Sequence, residues 1–178
     1  MTSELLSLPQ LFGYATFSLG LITFSRKNDG HFKNWLTAQN LLYATHFFLM
    51  GNTAAMAGAL LSAARNVISM RTRSVWAIAA LLAINLALGA ALVRSAWSAL
   101  PLLAAAVATV SMFRFSGLQL RYGMLGATLL WLLNNIHTGS IGGTVMESMI
   151  TVVSCITIHR LRQDRKLGRS GRVRELSS

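Results

Sequence analysis

The stretch WLTAQNLLYATHFFLMGNTAAMAGALLSAARNVISM, residues 35 to 70, decides the fold of this chain. It contains one charged residue, Arg65, and no proline. It is too long for one helix in a bilayer, because a membrane span takes about 20 residues, with a range of roughly 17 to 25. The turn-forming pair Gly51 and Asn52 stands near its middle. We therefore predict two helices, over residues 35–51 and 53–70, that form an antiparallel hairpin.

Five further apolar segments of spanning length flank this hairpin. Their predicted bounds are 6–25, 75–93, 97–114, 120–137 and 139–159. The composition agrees with a lipid environment, since 12% of the residues are charged, whereas soluble domains contain about 25%. The mean hydropathy is +0.52. We predict an all-α, polytopic membrane protein of about seven transmembrane helices.

The basic residues are segregated between the two sides of this seven-helix arrangement. Fourteen of the sixteen Lys and Arg fall on the side of the carboxyl terminus, and Arg94 alone falls on the other. Arg65 lies inside the third helix, with a stem that can reach the interface. Since Lys and Arg of short loops stay in the cytoplasm, we predict the amino terminus outside and the carboxyl terminus in the cytoplasm.

The end of the chain is strongly basic, and seven of the sixteen Lys and Arg lie from Arg160 onward. Residues 162–178 have no apolar periodicity, which predicts a disordered cytoplasmic tail facing anionic lipid headgroups. Nucleic acid is not an expected partner, because the other basic residues stand between long apolar segments. Cys155 is the only cysteine, so no intramolecular disulfide, metal site or cofactor is expected.

Two parts of the chain align without a gap at an offset of 88 residues, 9–73 against 97–161. Their basic residues, turn glycines and several polar residues fall together. Four helices separate each residue from its equivalent, so both triplets of helices have the same orientation. We predict a three-helix bundle in residues 1–73, a linker helix in 74–96 and a second three-helix bundle in 97–161. Parallel repeats of this kind place a solute site at mid-membrane, between the halves.

Four segments resemble the YgjV family of bacterial inner membrane proteins: HFFLMG (46–51), RTRS (71–74), Trp131 and GSIGGTVME (139–147). The resemblance covers nearly the whole chain and implies a location in the bacterial inner membrane, but it implies no biochemical activity. The three, one and three arrangement also resembles that of SWEET and PQ-loop transporters, which move sugars or other small solutes by alternating access. Those families use prolines within helices as hinges, whereas this chain has only Pro9 and Pro101.

Candidate site residues lie on four of the predicted helices. Glu147 is the only acidic residue well inside a span, where a charge costs about 2.5 to 3.5 kcal/mol. It lies on one face of the seventh helix with Thr151 and Ser154, and Asn66 of the third helix is equivalent to Ser154. Two pairs, Tyr43 with His46 and Trp131 with Asn134, repeat an aromatic and a polar residue at the same spacing. The alternative is that these residues only hold helices together or lie at the interface.

The sequence therefore leaves two functions open. The first is a transporter of a small polar solute, bound by Tyr43, His46, Asn66 and Glu147 with their neighbours. The second is a non-transporting membrane scaffold whose basic tail binds lipid or a partner protein. No enzyme is expected, because the acidic and histidine residues form no catalytic spacing. Transport predicts a hydrated central cavity, and a scaffold predicts a dry centre. The sequence does not define an oligomeric state.

Overall fold

The computed structural model describes residues 8–51, 53–92, 97–137 and 141–175 of the 178-residue chain. These residues form seven α-helices and a short 3₁₀ helix and contain no strand, which confirms the predicted all-α class. The helices are α1 (Leu8–Ser25), α2 (Asp29–Leu49), α3 (Thr53–Arg71), α4 (Val75–Leu92), α5 (Leu100–Arg114), α6 (Gly117–His137) and α7 (Ile141–Glu175). The 3₁₀ helix, Trp97–Ala99, precedes α5. Measured over the described residues, no helix combines the length and the apolarity that a membrane crossing demands.

Helix α2 begins six residues before the predicted start at residue 35. The reason is a side-chain cap, because the Asn28 carboxamide oxygen accepts a hydrogen bond from the His31 backbone N–H at 3.0 Å. Asp29 then stands in the first turn, where a negative charge is favourable for the helix dipole. The earlier start draws Asp29 and Lys33, predicted as loop residues, into the helix.

Helix α7 does not end at residue 159, and this corrects the disorder predicted for the tail. The helix continues to Glu175, so residues 162–175 are helical, while residues 176–178 lie outside the described residues. No proline interrupts the segment, and it is rich in Arg, Leu and other residues that favour helices. Contacts with the rest of the bundle also hold it, since Asp164 pairs with Lys27.

The helices pack mainly on their neighbours in sequence. Within the first part of the chain α2 packs between α1 and α3, and within the last part α6 packs between α5 and α7. The two parts meet where α1 packs on α7 and where α3 packs on α5, and α4 packs on α5. Connections of a few residues make α1 and α2, and likewise α5 and α6, antiparallel. One buried apolar cluster joins the helices, and its largest members are Phe24, Phe32, Leu36, Met112, Phe113, Leu120 and Met124.

Polar side chains are concentrated inside the bundle and large apolar side chains on its surface. The buried polar group includes Thr16, Thr23, Asn66, Ser69, Ser111, Thr128, Ser154 and Thr157. The exposed apolar group includes Phe48, Trp76, Leu86 and Ile136, and Trp76 is 84% exposed. Soluble proteins bury most of their large apolar side chains, so this surface has the character that contact with lipid requires.

Helix bounds and burial recur at the offset of 88 residues. Helices α2 and α6 both have 21 residues and begin and end at equivalent positions, and α3 and α7 begin at equivalent positions. Burial follows the same register, because Phe32 and its equivalent Leu120 are both fully buried. The Thr23 and Ser111 hydroxyls, which are also equivalent, each donate a hydrogen bond to the carbonyl four residues earlier. Equivalent residues therefore occupy equivalent places along their helices.

Candidate functional site

Three charged residues, Asp29, Lys33 and Arg121, form a cluster at the end of the bundle where α2 and α6 begin; we call it the charged cluster. The Arg121 guanidinium is 3.1 Å from the Asp29 carboxylate and donates a second hydrogen bond to the Lys27 carbonyl at 3.2 Å. It also lies 4.0 Å from the centre of the Phe32 ring. With 4% of its side chain exposed, Arg121 is a buried cation that an acid and an aromatic face compensate.

Lys33 occupies the same cluster and contacts the ends of two other helices. Its ammonium donates hydrogen bonds to the Met112 carbonyl at 2.6 Å and the Ser69 carbonyl at 3.3 Å, near the carboxyl ends of α5 and α3. A cation is favourable there because the last carbonyls of a helix are unsatisfied and its dipole is negative at that end. Burial lowers the pKa of Lys33, which precedes the predicted span of residues 35–51, and the Asp29 carboxylate opposes that shift.

The charged cluster joins the two repeated parts of the chain. Asp29 and Gly117 are equivalent at the offset of 88, and the Gly117 backbone N–H donates a hydrogen bond to the Asp29 carboxylate. Lys33 and Arg121 are also equivalent, and each contacts the opposite part, Lys33 through Met112 and Arg121 through Asp29. Next to the cluster, the side chains of Leu36 and of its equivalent Met124 are buried. This end of the bundle is therefore closed by charges and by apolar packing.

The sequence interpretation missed the chemistry of the charged cluster. It counted Lys33 and Arg121 as topology signals and gave Asp29 no role. Two signals were present, the Asn28-Asp29 start of a helix and the match of Lys33 with Arg121 at the offset of 88.

Three predicted site residues, Tyr43, His46 and Glu147, lie in the half of the bundle away from the charged cluster. The Tyr43 and His46 rings stack with their centres 5.9 Å apart. The His46 Nδ1 donates a hydrogen bond to the Pro9 carbonyl at 2.7 Å, which leaves Nε2 as an acceptor. Glu147 is buried, with 9% of its surface exposed. The structure thus places an aromatic ring of α2 and a carboxylate of α7 in the same half of the bundle.

Asn66 lies deep inside the bundle beside Arg65. Its side-chain oxygen is 3.4 Å and 3.5 Å from two nitrogens of the Arg65 guanidinium, and its Nδ2 has no partner among the described residues. Arg65 is itself buried, which corrects the expectation that its side chain reaches the interface. The Asn66 amide oxygen is therefore the side-chain acceptor beside the Arg65 cation.

The remaining predicted residues are dispersed. Thr151 donates its hydroxyl to the Glu147 carbonyl at 2.8 Å, a bond within α7. Ser154 is buried, and its hydroxyl has no partner in the described part of the chain. Trp131 is 40% exposed, and Asn134 is half-buried and makes polar contacts of its own. No hydrogen bond joins Asn66 to Ser154 among the described residues, so the predicted set does not form one continuous site.

Metal ligands are not grouped in the described ranges, where no three His, Cys, Asp or Glu side chains come together. The side chains best suited to bind a solute are those that can form hydrogen bonds with it. They are the Tyr43 hydroxyl, the Glu147 carboxylate and the buried amide of Asn66.

Comparisons with known proteins match almost the whole chain. A family model described as a bacterial inner membrane protein, Imp-YgjV, matches residues 7–165. The inner membrane protein YgjV of Escherichia coli strain K12 is similar, with 33% identity over 161 residues that cover 90% of this chain and 88% of that protein. No solved structure matches.

Proposed function

The chain belongs to the YgjV family of bacterial inner membrane proteins, and on that premise we propose that it crosses the inner membrane seven times and transports a small polar solute. The amino terminus is outside and the charged cluster faces the cytoplasm. The two repeated parts act as two three-helix halves with α4 as a linker, in a manner similar to SWEET transporters. Tyr43 and Glu147 are the proposed centre of the solute site, with His46 and Asn66 beside them.

The surface of the bundle supports the seven-span topology. Large apolar side chains such as Phe48, Leu86 and Ile136 face outward on three different helices, whereas a group of hydroxyl and amide side chains is buried inside the bundle. Exposed Arg71 and Arg114 end α3 and α5, and exposed Arg162 lies in the last part of α7. These three helices all run towards the same end of the bundle, as the rule for cytoplasmic basic residues requires.

The packing supports the division into two halves. The contact of α1 with α7 becomes the contact of α5 with α3 when the offset of 88 is applied, and both contacts are present. A pair of equivalent interfaces of this kind is expected of two similar units related by a two-fold axis along the membrane normal.

One observation carries the transport proposal, namely that equivalent residues of the two halves link the halves at one end of the bundle. Asp29, Lys33 and Arg121 link the halves at the cytoplasmic end, while Tyr43 and Glu147 lie in the outer half. Alternating access requires a contact that locks one side and breaks when the halves rock. The charged cluster has the position and the reversible chemistry for that role.

A ligand-dependent thermal shift tests this function. Full-length protein purified in a neutral detergent is screened against small polar solutes, and a solute that stabilises it is tested for uptake into proteoliposomes. We expect a saturable rise in melting temperature that Glu147→Gln reduces at least about tenfold in affinity, because a buried charged hydrogen bond contributes more than about 1.4 kcal/mol. Ser148→Ala is the matched control, since Ser148 is adjacent but exposed.

The contrary outcome is a protein that remains folded and responds to no solute, or a shift that Glu147→Gln leaves unchanged. Either result would remove Glu147 from the proposed site. A stabilising solute that is never taken up would identify a binding protein rather than a transporter.

The packed apolar centre favours a second candidate, a membrane scaffold. The buried cluster includes Leu81 of α4, Ala127 of α6 and Ile150 of α7, and it joins all parts of the bundle. A scaffold needs no moving halves and binds its partner at the basic end. Under this function Glu147→Gln is neutral, and removal of residues 160–178 abolishes the activity in cells.

A further inference from the structure

A basic groove lies where α7 passes the beginning of α6. It encloses about 500 Å³ and is lined by Leu118, Arg162, Arg165 and Lys166. None of the lining residues that the structure describes is acidic. The groove exists because α7 continues beyond the bundle core, so the same residues would form no groove if they belonged to a disordered tail.

Contacts on two sides hold this part of α7 in place. Asp164 forms an ion pair with Lys27 of the connection between α1 and α2, at 2.5 Å. The Arg162 guanidinium lies 5.3 Å from the centre of the Tyr122 ring of α6. Because Lys27 engages the carboxylate of Asp164, the cations of the groove are left without an acidic partner among its lining residues.

The beginning of α6 adds to the positive potential of the groove. Leu118 lies in the first turn of this 21-residue helix, where backbone N–H groups have no carbonyl partner within the helix. The helix dipole favours an anion at this end. The Gly117 N–H at this helix start already donates to the Asp29 carboxylate. The three exposed cations, with the dipole of α6 beside them, therefore make the site for a phosphate or a similar oxyanion.

Exposed apolar side chains accompany the lining residues of the groove. Tyr122, whose ring lies 5.3 Å from the Arg162 guanidinium, is 40% exposed. Phe115, three residues before Leu118, is 39% exposed, and Leu167, next to Lys166, is 71% exposed. A soluble phosphate gains nothing from apolar neighbours, whereas a phospholipid presents a phosphate and an acyl chain together. The charge and the apolar neighbours thus favour a phospholipid over a free ion.

We propose that this groove binds the headgroup phosphate of an acidic phospholipid, with its glycerol and acyl chains along Phe115 and Tyr122. The inference rests on the proposed topology, which places this end of the bundle at the cytoplasmic surface. Arg162, Arg165 and Lys166 contact the phosphate. The bound lipid connects α6 to α7 beside the charged cluster, so it stabilises the closed cytoplasmic end.

Native mass spectrometry and thermal unfolding of the full-length protein in neutral detergent test the groove. The probes are phosphatidylglycerol, phosphatidylcholine and inorganic phosphate. The test variant is Arg162→Gln/Arg165→Gln/Lys166→Gln. The control is Arg71→Gln/Arg73→Gln/Arg114→Gln, which removes three exposed cations from the same end of the bundle.

We expect wild-type protein to retain one phosphatidylglycerol in preference to phosphatidylcholine. The test variant should weaken that binding at least about tenfold, because each Lys or Arg beside an anionic lipid contributes several-fold to affinity, and the control variant should weaken it less than about threefold. An equal loss of phosphatidylglycerol binding in both variants would indicate that the lipid responds to the overall positive charge of this end. That result would overturn the proposed site in the groove. Equal retention of phosphatidylcholine would overturn the headgroup contact.

Stabilisation by inorganic phosphate as strong as that by phosphatidylglycerol would overturn the lipid occupant and indicate a soluble phosphate ligand. The measured quantity is bound lipid, so a failure of the transport proposal leaves this result unchanged. Conversely, a variant that has lost lipid binding should still be stabilised by the solute in the transport test.

Discussion

At the residue scale, whether a charged side chain is buried or exposed depends on the helix end that it contacts. Arg121 and Lys33 are basic residues at the same end of the bundle as Arg71, yet they are drawn inward by Asp29 and by two helix ends, whereas Arg71 remains exposed. The sequence predicts the side of the membrane for all of them, because that depends on loop position alone. It does not predict the inward pairing, because that depends on which helix ends come together in space.

Asp29 is therefore expected to matter more for stability than the other paired aspartate. Asp29→Asn leaves the guanidinium of Arg121, which is 4% exposed, without its carboxylate, and we expect a loss of about 1 to 3 kcal/mol in the free energy of unfolding. Asp164→Asn removes an exposed pair with Lys27 and should cost less than about 1 kcal/mol. Thermal unfolding in detergent compares the two, and equal losses would contradict the role of the charged cluster.

At the element scale, the apolar segments predict the number of helices and most of their ends. Six of the seven predicted starts lie within about three residues of the observed ones, since loops between spans are short and polar. Two helix bounds differ from the predicted ones, and each difference has a physical cause. The Asn28 cap extends α2 backwards, and contacts with Lys27 and Tyr122 accompany the extension of α7. Neither contact partner is near in sequence, so hydropathy does not reveal the second extension.

The contact between α5 and α6 depends on a glycine. A Cβ at Gly123 would lie 2.7 Å from the Cβ of Ser111, which is buried on α5. We expect Gly123→Ala to separate the two helices and to lower the free energy of unfolding by about 1 to 3 kcal/mol. Gly58→Ala in α3 is the control, because a Cβ there meets nothing within 4 Å.

The control substitution should raise stability by up to about 1 kcal/mol, since alanine is the better helix former. Chemical denaturation of both variants in the same detergent gives the comparison. A Gly123→Ala protein as stable as Gly58→Ala would show that α5 and α6 are not in close contact at this position.

At the scale of the whole molecule, the repeat explains why polar residues predicted to form one site are spread over the bundle. Asn66 and Ser154 are equivalent and both buried, but no hydrogen bond joins them in the described part of the chain. The offset of 88 residues predicts which residues occupy equivalent places, but it does not predict which residues are in contact. Contact occurs instead at the axis between the halves, where Asp29 meets its own equivalent, Gly117.

This arrangement predicts how the molecule moves. If the halves rock about the region between α2 and α6, the two ends of the bundle change distance in opposite directions. Asp29→Asn removes the carboxylate that holds Arg121 and should favour opening of the end that holds the charged cluster. The single native cysteine, Cys155, is exposed and can be replaced by serine to prepare a labelling background.

The most direct measurement is double electron–electron resonance on two spin-labelled pairs in Cys155→Ser protein reconstituted into lipid. Arg71→Cys/Arg114→Cys reports on the end of the bundle that holds the charged cluster and Met50→Cys/Ile136→Cys on the opposite end, and all four positions are exposed. We expect Asp29→Asn to shift the first distance distribution to longer values and the second to shorter values. Unchanged distributions at both ends, in a protein that remains folded, would contradict two moving halves locked by the charged cluster.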